Sequence, residues 1–405
     1  MHIKKINLSQ LIVDCVVIFF ILFGIGRPTW NGYNQILIFT AVLWIALMIP
    51  WIIKLTFLKD PGFISYFIFL ILYAIFTLFS NDIEMTISYG GTYMIYGIVL
   101  IMSTFYLSSN RKRRLKNMTN ITLSWIGVLC IFAILYYIQH PGAARLYATH
   151  RSDLDGYMIG GGYQLAYICA MLLPVCCRHA LKCKLKSWYT LLSILMIILI
   201  LKSSSMIIIL TSLLACIFEY TFLEHGKKRM FVMGVVGSIC VILYFFRTNI
   251  GQGLIEIAGG RSVTSFSDMN NAVFVRMTEI GMVLKGINVG NSSAMGLRIQ
   301  NYIRPVSEIV NHPFLGGILK NGMCPESGVF NDSTIITAFS CWGIPIGCLY
   351  LFPFISKFKK YRNYKGSIFA VCLTLLLNPS MGFSVVIGAW FLLPALYDLD
   401  KEKIE

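Results

Sequence analysis

The sequence predicts an all-α fold: a polytopic integral membrane protein of about twelve transmembrane helices, with a long outer loop that contains short amphipathic helices. Three observations carry this expectation. First, hydrophobic residues make up 57% of the chain and charged residues 13%, with a mean hydropathy of +0.72, whereas a soluble domain is about a quarter charged and just under half apolar. Second, apolar runs of spanning length recur along the 405 residues, and about 20 such residues cross a bilayer core. Third, the basic residues gather in short clusters between those runs. Since every backbone amide in lipid must be satisfied within its own segment, the runs become helices. The chain therefore reads as a single membrane domain, 1–405, rather than two or three soluble ones.

In order, the predicted spans are 9–26, 35–57, 63–79, 86–107, 119–138, 157–177, 188–201, 206–222, 231–246, 331–353, 366–378 and 380–397. The first lacks a small-residue cleavage site and is followed by further spans, so it is expected to be a signal anchor. Only Lys202-Ser203-Ser204-Ser205 separates the seventh from the eighth, which implies a tight hairpin. A missed helix would reverse the charge bias of everything after it, so the positive-inside rule tests the series. With both termini cytoplasmic, twenty-three of the 34 Lys and Arg fall inside and eleven outside, seven of those eleven in the one long loop. The expected outer loops are at 139–157 and 247–330, with both termini cytoplasmic.

Composition also narrows the function classes. A net charge of +16 spread in clusters such as Arg111-Lys112-Arg113-Arg114 marks topology beside anionic lipid headgroups and predicts no nucleic-acid partner. Most of the twelve cysteines fall inside apolar runs and none has zinc-finger spacing, so neither a structural disulfide nor a metal cluster is expected. No cofactor is expected either. Asp153-x-Asp155 with His140 and His150 is too weak a pattern to imply a cation site, and these four residues face a site or are simply solvated. Asp14 is the one carboxylate well inside a span, with a hydrogen-bonded structural role and a transport role both open. Gly160-Gly161-Gly162 permits close helix approach or a broken helix.

Candidate chemistry lies in the outer loops. Several arginines among few acids suit an anionic headgroup, because a guanidinium offers planar, permanently charged, bidentate donors. Arg298, Arg276, Arg304, Arg151 and Arg145 are the candidates; the alternative is that they anchor the loop to lipid or pair with Glu279, Glu308 and Asp268. Ile299, Tyr302, Ile303, Val306, Ile309 and Val310 recur at helical spacing, so one face of that helix lies on the membrane or packs on the bundle, and Pro305 starts or kinks it. His312 has a side chain suited to proton transfer. The His312-Pro313 pair is equally a helix stop, since proline pushes the preceding residue out of the helical region.

The order Gly296-Leu297-Arg298, an amphipathic stretch, His312-Pro313-Phe314-Leu315-Gly316-Gly317, then Asn331-Asp332 and Gly343-Ile344 resembles the O-antigen ligase/polymerase superfamily, including its Wzy-type polymerases. The specific match covers roughly residues 292–347. An outer Arg-x10-Gly pattern from Arg151 to Gly162 is similar to one in such polymerases, and Lys202 lies near a turn where the superfamily often carries a basic residue. The resemblance implies a metal-independent glycosyltransferase that uses undecaprenyl-pyrophosphate-linked oligosaccharide at the periplasmic face, with membrane lipid, a flippase and a chain-length regulator as possible partners. It also implies that Arg298 stabilises the departing pyrophosphate. Ligases of the superfamily place a histidine immediately before the Asn of the second motif; here that position is Phe330, which disfavours an O-antigen ligase and leaves Asp332, Glu326 and His312 as candidates for activating the acceptor. A lipid-linked oligosaccharide flippase is the rival from another class. It should show two similar halves and polar residues at mid-depth, and the sequence has neither a visible duplication nor many intramembrane charges.

Overall fold

The computed structural model describes residues 8–26, 33–52, 56–79, 83–107, 112–140, 143, 163–182, 186–203, 205–223, 238, 244–259, 269–287, 303, 305–317, 333–377 and 382–401. Every regular element among them is helical. We number the main helices α1 (Leu8–Gly26), α2 (Tyr33–Ile52), α3 (Pro61–Phe79), α4 (Ile83–Tyr106), α5 (Lys112–Gln139), α6 (Tyr163–Lys182), α7 (Lys186–Lys202), α8 (Met206–Leu223), α9 (Arg247–Ile257), α10 (Met269–Leu284), α11 (Thr334–Lys360) and α12 (Lys365–Leu377). Helix α13 joins Phe383–Ile387 to Leu393–Lys401 through a π-helical turn, Gly388–Leu392.

Among the described residues, five helices are long and apolar enough to cross a membrane: α3, α5, the Tyr163–Leu181 part of α6, α11 and the Phe383–Asp400 part of α13, with mean hydropathies between 1.4 and 2.3. Shorter apolar helices cover Gln10–Gly26, Gln35–Trp51, Ser187–Lys202, Ile207–Phe222 and Lys365–Leu377. Boundaries differ from the expected spans where polar ends continue a helix. Helix α5 starts seven residues earlier than predicted, because Lys112 to Lys116 are good helix formers and Arg114 is held by Asp14. Helix α2 stops at Ile52, two residues past Pro50, and α11 runs on to Lys360. The ninth expected span, 231–246, lies outside the described residues apart from Ser238 and 244–246.

Contacts between helix ends fix the relative directions. Tyr106 and Arg114 bind Asp14, joining the end of α4 to the starts of α1 and α5. Lys357 and Thr104 bind Asp60, joining the ends of α11 and α4 to the start of α3. Arg178 binds Glu219, which also accepts from Gly366 N–H, and Tyr364 donates to Asp400; these join the ends of α6, α8 and α13 to the start of α12. All of these groups share one end of the bundle, where Lys359 and Lys360 also lie; we refer to it as the basic end. At the opposite end Ser333, before α11, reaches Leu375 of α12, and Phe383 packs on Phe20 of α1. The helices thus alternate in direction, and α1 begins and α13 ends at the basic end. Helix α8 also ends there, while α11 begins at the opposite end.

The core is apolar and aromatic. Helix α13 is its axis, with every side chain from Ser384 to Tyr397 buried. The π turn widens the helix around the buried Trp390, and the Ser103 hydroxyl of α4 donates to the Trp390 carbonyl. An interrupted i→i−4 ladder of this kind leaves backbone groups for a neighbouring helix to satisfy. Exposed large apolar residues such as Phe39, Leu78, Phe132 and Leu213 cover the outside, as a lipid-facing surface requires. Helices α9 and α10 form a hairpin that crosses at Gly251 and Gly281, where a Cβ on either would sit 2.5–2.6 Å from the other's carbonyl oxygen.

Candidate functional site

At the opposite end from the basic cluster, α11 is broken at Gly343, which adopts φ 75° and ψ 170° inside an otherwise helical run. A continuous helix would pair Ile344 N–H with the Ser340 carbonyl. Here each finds another partner in the 312–317 turn: Ile344 N–H donates to Pro313 O at 2.7 Å, and Gly317 N–H donates to Ser340 O at 2.7 Å. Pro345, which has no N–H, cannot pair with Cys341 in the helical manner. The carbonyl of Cys341 lies instead against Gly316.

Two glycines make this close approach possible. A Cβ on Gly316 would fall on the Cys341 carbonyl and 2.5 Å from Gly343 N, and one on Gly343 would fall on Phe314 O and 2.7 Å from Leu315 N. Both residues have positive φ, 63° at Gly316 and 75° at Gly343, a region that side chains disfavour. The motif His312-Pro313-Phe314-Leu315-Gly316-Gly317 and the motif Gly343-Ile344, about thirty residues apart in sequence, are therefore one backbone-to-backbone joint.

His312 stands at the entrance to that joint. The helix over 305–311 ends where His312 precedes Pro313, with His312 N–H on Glu308 O at 2.8 Å and Gly316 N–H on His312 O at 2.9 Å. The helix-stop role of the His-Pro pair is thus realised in the backbone. The side chain remains accessible: His312 Nε2 lies 3.8 Å from Glu308 Oε2, one turn back, beyond hydrogen-bond reach yet close enough for attraction to a protonated ring. An accessible imidazole with a carboxylate beside it can accept and return a proton.

Below the joint the bundle is filled by rings. Trp342, buried next to Gly343, packs against Phe69 at 4.8 Å, Tyr350 at 4.7 Å and Tyr93 at 5.5 Å between centroids. The Tyr66 and Tyr73 hydroxyls donate to the backbone carbonyls of Tyr93 and Thr86. These contacts join α3, α4 and α11 next to the joint.

The buried charges gather at the basic end. Lys357, with a fully buried side chain, donates to Asp60 Oδ2 at 2.6 Å. Burial alone would raise the Asp60 pKa; the Lys357 ammonium, the charge of Lys360 and the Gly62 N–H together hold it below the usual carboxylate value. Asp14, whose role the sequence leaves open, takes Arg114 Nε at 2.8 Å, Arg114 Nη2 at 2.6 Å and the Tyr106 hydroxyl at 2.5 Å, a bidentate structural pairing. His179 lies 3.2 Å from Asp400 and stacks on Tyr189 at 4.7 Å. Sequence reasoning did not pair Asp60 with Lys357, which stand 297 positions apart.

Of the expected site residues, the side chain of His312 is described. Arg276 lies in helix α10, two turns from its C-terminal end. Arg298, Arg304, Glu326, Asp332, Arg151 and Arg145 lie outside the described residues, as do His150, Asp153 and Asp155. His140 follows α5, its ring tilted against Tyr136 at 4.7 Å between centroids, and Lys202 is the last residue of α7. Fold and joint together define a helical membrane protein whose motif-bearing loop is fastened to a broken helix. No protein-family model matches the chain, and no curated protein sequence matches it.

Proposed function

We propose that this protein is a polymerase of lipid-linked polysaccharide repeat units in the bacterial inner membrane, acting at the periplasmic face. The observation that carries the reading is the joint between the His312–Gly317 turn and the Ser340–Ile344 break. Two of the motifs by which the chain resembles the O-antigen ligase/polymerase superfamily, His312–Gly317 and Gly343-Ile344, meet there. In this reading the chain has twelve spans, the basic end faces the cytoplasm as the positive-inside rule asks, and the joint faces the periplasm.

Growing glycan leaves undecaprenyl pyrophosphate and joins the sugar end of another lipid-linked repeat. The glycosidic carbon–oxygen bond to the pyrophosphate breaks, a new bond forms to the acceptor hydroxyl, and that hydroxyl's proton is taken up. Negative charge builds on the departing pyrophosphate, so fixed cations there stabilise the transition state more than the ground state. Arg298 is assigned this role, with Arg276, Arg304, Arg151 and Arg145 as further anion-binding groups. His312, Asp332 and Glu326 are the candidates for taking the proton. The rings under the joint and the buried charges at the basic end favour an enzyme over a flippase, which would need polar groups at mid-depth.

The test is the lipopolysaccharide of a deletion strain and of an Arg298→Ala strain. Both should carry core with one repeat unit and no long ladder. Normal ladders from the Arg298→Ala strain would remove Arg298 from the mechanism, and complete absence of repeat units from the deletion strain would point to a flippase or ligase.

A further inference from the structure

The helix over 305–311 has three differently treated sides. Pro305 is buried, with Glu308 and Ile309 half-buried, toward the protein. Ser307 and Asn311 are exposed and bonded to each other, Asn311 Nδ2 to Ser307 Oγ at 3.3 Å. Ile303, Val306, Val310 and Phe314 form a third stripe and are 62%, 46%, 73% and 74% exposed. A helix in water has no reason to present four large apolar groups at helical spacing. One lying at a membrane interface does.

Depth decides what covers that stripe. The turn is fixed to α11 at Ser340–Ile344 by two backbone hydrogen bonds. Lys359 and Lys360 are exposed at the basic end of the same helix. At 1.5 Å per residue, Gly343 lies about 24 Å along the helix from Lys359, inside a hydrocarbon layer roughly 30 Å thick. Ile344 of α11, whose N–H bonds to the Pro313 carbonyl next to Phe314, is itself 46% exposed. The same two bonds bear on the surroundings of the break. Where the α11 ladder is interrupted, the Ser340 carbonyl and the Ile344 N–H are both paired by the turn, as backbone in an apolar layer must be.

We propose that the helix over 305–311 and the turn after it are seated in the outer leaflet, with acyl chains of membrane phospholipid against Ile303, Val306, Val310 and Phe314. The Ser307–Asn311 edge then faces the headgroups and water. The inference rests on the membrane reading and not on the glycan chemistry.

The experiment uses full-length protein with Phe314→Trp, Val310→Trp or Asn311→Trp, reconstituted in phosphatidylcholine vesicles with or without dibrominated acyl chains. The added fluorescence over the unsubstituted protein is read. Brominated lipid should quench the Phe314→Trp and Val310→Trp signals by more than half while iodide leaves them nearly unchanged, and the Asn311→Trp signal should show the reverse. Quenching of both apolar-stripe variants by iodide would place the stripe in water and overturn the proposal. Protection from both quenchers would mean that another protein segment covers the stripe, which would overturn it equally. Neither quencher reads turnover, so the outcome is independent of whether the protein polymerises glycan.

Discussion

Gly316 and Gly343 are pressed backbone to backbone, in space that a Cβ on either residue would need. The contact lets the turn after the helix over 305–311 take over hydrogen bonds that α11 forgoes at its break.

Substitution at Gly343 should therefore be far more damaging than substitution at another positive-φ glycine. Gly286 has φ 74° with open space around its Cβ position, so Gly286→Ala carries backbone strain alone, about 1–2 kcal/mol. Gly343→Ala adds a collision with the Phe314 carbonyl, and its ψ of 170° lies in a region almost restricted to glycine. Thermal unfolding in detergent should place Gly343→Ala well below Gly286→Ala; equal midpoints would mean that the joint is not tight.

The Lys357–Asp60 pair should act as a unit. Removing one partner leaves the other charge buried alone, a loss of about 3–5 kcal/mol, whereas replacing both is often neutral. Lys357→Met should thus lower the unfolding midpoint strongly, and the double change Lys357→Met/Asp60→Asn should recover much of the loss. A double variant as unstable as the sum of the singles would show that the two do not interact.

Acid should weaken the same pair. The folded-state pKa of Asp60 is held below its ordinary value of 3.8, so its contribution is fully present above that value and is lost as the pH falls through the depressed one. Stability measured from about pH 6 down to about pH 2 should drop less steeply in the most acidic part of that range in the Lys357→Met/Asp60→Asn variant than in the unsubstituted protein. Parallel curves would assign the acid sensitivity to other carboxylates.

Orientation can be read by labelling. A Ser292→Cys variant, in a background whose other accessible thiols have been replaced, should react with a membrane-impermeant maleimide from the periplasmic side only. Labelling solely from the cytoplasmic side would invert the topology.

Much of the helical frame was legible in the sequence because lipid imposes one rule on it. Long apolar runs such as Pro61–Phe79 have no other solution than a helix, and clustered lysines mark one end. The pairing of the His312 motif with Gly343-Ile344 was visible only as two separate motifs within one resemblance; that they touch depends on two positive-φ glycines and on backbone bonds that no periodicity encodes. The break in α11 falls at the Gly343-Ile344 turn of that resemblance, whereas the π turn at Trp390 was hidden, since it interrupts a run that remains apolar throughout. Asp60 and Lys357 stand 297 positions apart, a separation across which a single sequence offers no pairing signal.

The most direct test of the polymerase reading is reconstitution. Purified protein in proteoliposomes, supplied with an undecaprenyl-pyrophosphate-linked repeat unit, should yield lipid-linked chains of two or more repeats together with free undecaprenyl pyrophosphate. If the single-repeat lipid is instead recovered at its original length while the same proteoliposomes carry it from one leaflet to the other, the protein is a transporter and the polymerase reading is contradicted.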